Sequence, residues 1–90
     1  MTTRDEEHAK LRAKITEIKT QIEIGAEYEH YKGDHYRVVD VAIFSEDIDR
    51  IFVIYEALYN GLIWARPYRM WNELVEIDGK KILRFRKVEK

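Results

Sequence analysis

Two short segments carry most of the chemistry this chain can offer. Tyr28-Glu29-His30-Tyr31-Lys32-Gly33-Asp34-His35-Tyr36 gathers three tyrosines and two histidines around one glycine. Leu62-Ile63-Trp64-Ala65-Arg66-Pro67-Tyr68-Arg69-Met70-Trp71 gathers two tryptophans, a tyrosine and two arginines. Rings stack on planar ligands, their polar tips hydrogen-bond, and a guanidinium holds a phosphate or a carbonyl. Small β domains also fill their cores with such rings, pairing them across strands.

In an extended chain Tyr28 and His30 share one face and Tyr31 takes the other. Leu62, Trp64 and Arg66 likewise share a face, with Ile63 and Ala65 opposite. An arginine beside a tryptophan and a leucine needs a carboxylate, a phosphate or a ring to satisfy it. Glu46 and Asp47, at the end of an earlier strand, are the candidate acids. One reading is a clamp in which Glu46 ties Arg66 and holds two loops together. The other is a pocket lined by Tyr28, His30, Tyr36, Tyr55, Trp64 and Arg66, with Glu46 orienting Arg66 and Trp64 or Tyr55 as a stacking floor. Its ligand would be planar and anionic, with a nucleotide or nucleobase as first choice.

Other chemistries have little to stand on. His30 and His35 lack a third ligand at metal-binding spacing. Ser45 is the only serine and has no histidine close in sequence, and the four glycines are isolated, so no phosphate loop is present. No catalytic residue, metal or cofactor is expected, and a non-enzymatic module is favoured.

The elements that must position these residues fall on either side of Gly25. Before it there is no aromatic, glycine or proline. Residues 1–24 read as an amphipathic helix: Thr3 with Glu6 forms a capping-box pattern, and acidic residues fill the first turn. Leu11, Ile15, Ile18 and Ile22 make one stripe, and Gly25 is a natural stop. The stripe either docks on its own domain or forms a homodimer seam through a helix pair. Residues 25–90 read as a β domain. Strands are expected near 26–32, 35–45, 51–58, 62–66, 73–78 and 81–88. Turns fall at Lys32-Gly33-Asp34, Asn60-Gly61 and Asp78-Gly79. Pro67 can open one helical turn over Tyr68 to Asn72. Strand 51–58 is apolar on both faces, which predicts a cover on both. Six short strands suggest a strongly bent sheet or small barrel.

The totals set outer bounds. Ninety residues make one small unit with a thin stability margin, and the absence of cysteine removes disulfides and thiolate zinc sites. A net charge of −1 gives no global case for nucleic acid or membrane binding. The N-terminus has no apolar signal core, and the longest apolar run, Ile51 to Tyr55, is far short of a membrane span. A soluble, cytoplasmic protein is the expectation. The basic end, with Arg84, Phe85 and Arg86, reads better as a solvated strand than as a nucleic-acid surface.

An ordered run of motifs resembles domain-of-unknown-function family 1653, a group of small bacterial and phage-borne proteins. It comprises His30-Tyr31-Lys32-Gly33, Tyr36, Ala42 to Ser45-Glu46, Val53-Ile54-Tyr55, Leu58-Tyr59, Trp64-Ala65-Arg66-Pro67, Met70-Trp71, Asp78-Gly79 and Arg84-Phe85. The match spans about residues 25–88. It implies a compact, mainly β domain resembling an SH3-like barrel, and no established activity. Where the family usually has Arg-His before the Ser-Glu pair, this chain has Ile43-Phe44. Any role for that histidine is absent here. Ala65 and Trp71 are apolar exchanges for valine and phenylalanine. The combined expectation is a five- to six-stranded SH3-like barrel with an N-terminal helix. It would bind a nucleotide-like small molecule or, alternatively, act as an assembly module that dimerises through the helix.

Overall fold

The computed structural model describes residues 4–89. The chain opens with α1 (Arg4–Gln21), whose first turn holds Asp5, Glu6 and Glu7 and whose last turn holds Lys19, in keeping with the helix dipole. The proposed Thr3 cap lies outside the described residues. Ile18 and Ile22 are buried and Ile15 packs against the same core. The C-terminal part of the stripe thus docks on the chain's own sheet, while Leu11 is only partly buried. The helix ends before Gly25. That glycine, at φ +85°, instead turns the chain into the sheet, donating its N–H to the Val38 carbonyl.

The strands are β1 (Glu27–His30), β2 (His35–Phe44), β3 (Asp47–Ala57), β4 (Ile63–Pro67), β5 (Leu74–Ile77), β6 (Lys80–Leu83) and β7 (Phe85–Lys87). A single helical turn, α2 (Tyr68–Trp71), follows Pro67 as its sequence suggests. Five strands form one antiparallel sheet in the order β4-β3-β2-β1-β7, and β5 pairs with β6 alone. The fold is mainly β with an N-terminal helix, but the sheets do not close into the expected SH3-like barrel. Proline at position 67 cannot donate a ladder hydrogen bond, and α2 lifts the chain off the sheet, so β5 begins elsewhere. The single strand expected over 81–88 is two. Arg84 breaks it, donating its N–H to Glu73 while its carbonyl accepts from Tyr31, which switches the chain from β5 and β6 to β1.

A register shift between Val38 and Asp40 places Val39 in a bulge, so Val38 and Val41 lie on the same face. With them lie Ile51, Val53, Tyr55 and Ala57 of β3, all buried. The core forms on this face from Ile18 of α1, Ile22 just after it, Trp71 of α2 and Phe85 of β7. Both faces of β3 were expected to be covered, and only one is. The helix packs on the same side as Trp71, leaving Phe52 and Ile54 half-buried; Phe52 shields itself against Phe44, with ring centroids 5.9 Å apart.

Candidate functional site

Phe85 is the hub of an aromatic cluster. Its ring lies parallel to that of Trp71, with centroids 3.9 Å apart, and meets Tyr55, Tyr36 and His30 edge-on at 5.8, 5.8 and 5.0 Å. Register explains the gathering. His30 sits opposite Phe85 across β1 and β7, and Tyr28 opposite Tyr36 across β1 and β2. Residues directly opposite in a ladder share a face, so every ring points to the core side. Packed rings of this kind gain about 0.5–1.5 kcal/mol per pair beyond the area they bury.

The sequence-predicted site divides on this frame. Tyr28 and Tyr55 are both 6% exposed and belong to the core. The Tyr28 hydroxyl accepts the Glu23 N–H at 3.1 Å, which fixes the chain after α1. His30, Tyr36 and Arg66 come together at the rim of the cluster. Trp64 lies opposite Tyr55 in the β3–β4 ladder and remains half exposed. Glu46 is not with them. Arg66 sits opposite Val53, whereas Glu46 lies in the turn before Asp47. Six strand residues between those points correspond to about 20 Å. The Glu46–Arg66 clamp is therefore corrected: an open hairpin keeps its turn far from the middle of β3. The notion of His30 and His35 sharing a metal fails as well. His35 lies opposite Glu29 on the other face of β1, where its ring is bonded to Glu27 at 2.5 Å.

Arg66 is held by a ring rather than by an acid. Its guanidinium carbon stands 5.4 Å from the Phe85 centroid, and its Nε is buried without an acceptor. No carboxylate lies within ion-pair distance of it among the described residues. Arg84, over the Tyr31 ring at 5.9 Å, also buries an Nε without an acceptor, although one terminal nitrogen pairs with Glu73 at 2.9 Å.

His30 completes the cluster as a neutral donor. Its Nδ1 accepts the Lys32 N–H at 3.2 Å, so the ring proton sits on Nε2. Burial pushes its pKa below the usual histidine value, and Arg66, Arg84 and Lys32 push it the same way against a weaker opposing pull from Asp34. Tyr36 is pushed up to about 12, first by burial and then by its bond to the Tyr59 hydroxyl. The rim thus presents guanidinium N–H, imidazole N–H and phenol groups, all able to donate. The carboxylate that acts on His30 and Tyr36 is Asp34. Beside it a cavity of about 420 Å³ opens between β1 and the β5–β6 hairpin, lined by His30, Tyr31, Ile82, Leu83, Glu29 and Arg86. No group of three His, Asp or Glu side chains converges on a common point among the described residues.

Sequence reasoning missed Tyr59, Arg84 and Phe85 as members. Tyr59 entered the sequence reading only through the Leu58-Tyr59 family motif, and Arg84 with Phe85 as a solvated basic strand. Only the β1–β7 pairing brings the end of the chain against His30.

The comparisons agree on one family. The model for "Protein of unknown function (DUF1653)" matches residues 26–87. A crystal structure of a protein belonging to DUF1653 from Bordetella bronchiseptica is similar, with 37% sequence identity and a TM-score of 0.66. The similarity covers 76% of this chain and 90% of that one. No curated protein matches.

Proposed function

This chain belongs to the DUF1653 family, and from the donor-rich rim around Phe85 we propose that it is a non-enzymatic module binding a planar, anionic small molecule of the nucleotide or nucleobase kind. The observation that carries the proposal is Arg66. Its Nε is buried without an acceptor and no acid pairs with it among the described residues; such an unsatisfied donor is costly, and a ligand phosphate or carboxylate would give the half-buried guanidinium an acceptor. The ring beneath it supplies part of the compensation at about 0.5–2 kcal/mol. His30 Nε2–H and the Tyr36 and Tyr59 hydroxyls lie near enough to bind further anionic or carbonyl oxygens.

The same atoms argue against catalysis. His30 Nδ1 is occupied by a backbone donor, and Tyr36 stays a phenol throughout the neutral range. Neither serves as a general base near neutral pH. No helix among the described residues is long and apolar enough to cross a membrane.

The test is a thermal-shift and tryptophan-fluorescence screen over nucleotides, nucleosides and cyclic dinucleotides, with Arg66→Ala in parallel. A ligand that raises the melting temperature of the native chain and not of the variant supports the proposal. A folded Arg66→Ala protein that binds equally well removes the site.

A further inference from the structure

The two edges of the five-stranded sheet are not alike. β7 has three residues and carries Arg86 and Lys87, the short, charged edge that proteins use to prevent strand pairing. β4 is guarded only at its C-terminal end, by Arg66 and Pro67. Leu62, Ile63 and Trp64 are 53%, 63% and 49% exposed in succession, and the only charge on the strand is Arg66. Three large apolar residues in a row on an open edge mark an association surface.

The ladder fixes which backbone groups that edge offers. Ala57 N–H bonds the Leu62 carbonyl at 2.8 Å, and the β3–β4 register continues from there. In an antiparallel pair the bonded positions alternate, so the Leu62 carbonyl, Trp64 and Arg66 bond inward to β3, while the Leu62 N–H donates to Asn60 Oδ1. Ile63 and Ala65 direct both N–H and C=O outward. Pro67, next in that series, offers no N–H and ends the strand.

We propose that β4 pairs antiparallel with β4 of a second copy, about a twofold axis at Trp64. In that register Ile63 of each copy meets Ala65 of the other, and four backbone hydrogen bonds use every outward N–H and C=O of both residues. Trp64 faces its own twin in a non-bonded pair, where side chains approach closest. Arg66 falls opposite Leu62 of the other copy, so no like charges face each other. The sheet becomes a continuous ten-stranded one, twice the five of one copy. The seam does not use Ile18 and Ile22, which are buried in the chain's own core, and it borders the ligand rim through Arg66, which sits on the same strand.

Sedimentation equilibrium from micromolar to submillimolar concentration tests the pairing, with Ile63→Lys and Ala65→Pro as variants. Ala65→Pro removes an outward N–H that the monomer does not use, so the fold is retained, and far-UV circular dichroism verifies it. The native chain is expected to approach twice the monomer mass at the upper end, while both variants stay monomeric. A native chain that is monomeric throughout overturns the proposal, as does a dimer that both variants preserve. A monomer that instead recruits an unrelated peptide strand also counts against it.

Discussion

Arg66 rests on Phe85. The guanidinium carbon is 5.4 Å from the ring centroid, and the same ring stacks on Trp71 in the core. A cation at the rim is thereby coupled to the packing beneath it, through residues nearly twenty positions apart in sequence. The two residues should nevertheless answer differently to mutation.

Arg66→Gln should cost little stability, within about 1 kcal/mol, because it removes a charge that has no acid partner among the described residues. It should weaken an anionic ligand on the order of 30-fold, the size of one or two charge-assisted hydrogen bonds. Phe85→Leu should instead cost about 1–3 kcal/mol through lost packing. Urea denaturation and ligand titration on the same two variants separate the effects. Equal stability losses would mean that Arg66 is structural.

Ile22→Ala should destabilise the whole chain by about 2–4 kcal/mol in a single transition, since Ile22 is 1% exposed and joins the sheet core. Helix signal at 222 nm and tryptophan emission should then shift together. A separate, earlier loss of helix would show that α1 folds as an appendage.

His30 should weaken the fold on acidification. Its folded-state pKa lies below the unfolded value of 6.5, so the unfolded chain takes up the proton first. The contribution is fully present above about pH 6.5 and is lost as pH falls through the lowered folded value. Stability of the native chain and of His30→Gln, measured by urea at neutral and mildly acidic pH, should converge as the pH drops. Bound anion should raise the His30 pKa and draw in a proton, so affinity should increase in the same window. An unchanged stability gap between the two proteins would refute the assignment.

Tyr36 carries the opposite sign. Its folded pKa, raised to about 12 from 10, means that the unfolded chain ionises first as pH rises. The stabilisation holds below pH 10 and fades between there and about 12. Ultraviolet titration at 295 nm should show a tyrosine in the native chain that ionises later than in a denatured one, and Tyr36→Phe should remove that late-titrating group. If the late group persists in the variant, the residue is misassigned.

Local signals were strong enough to read much of this fold. Stripe spacing at Ile15, Ile18 and Ile22 defined the helix and its buried side. Gly33, Gly61 and Gly79, all at positive φ, lie in the three turns expected from their neighbours. Pro67 announced both the end of β4 and the turn of helix after it. Arg66, His30 and Tyr36 stood out because rings, donors and a cation were close along the chain.

The remainder required the third dimension. Whether strands close into a barrel depends on which edges meet, and a six-strand pattern is the same for an open sheet and a closed one. Glu46 looked like a partner for Arg66 because hairpin register, set by pairing across β3, cannot be seen from either residue alone. Phe85 and Arg84 looked solvated until β7 paired with β1 and carried them to His30. Sequence by itself determined the helix, the turns and the residue types of the site, all set by interactions within a few positions. Tertiary structure alone decided which rings are core, which cation lacks an acid and which edge stays open, because those depend on contacts between distant segments.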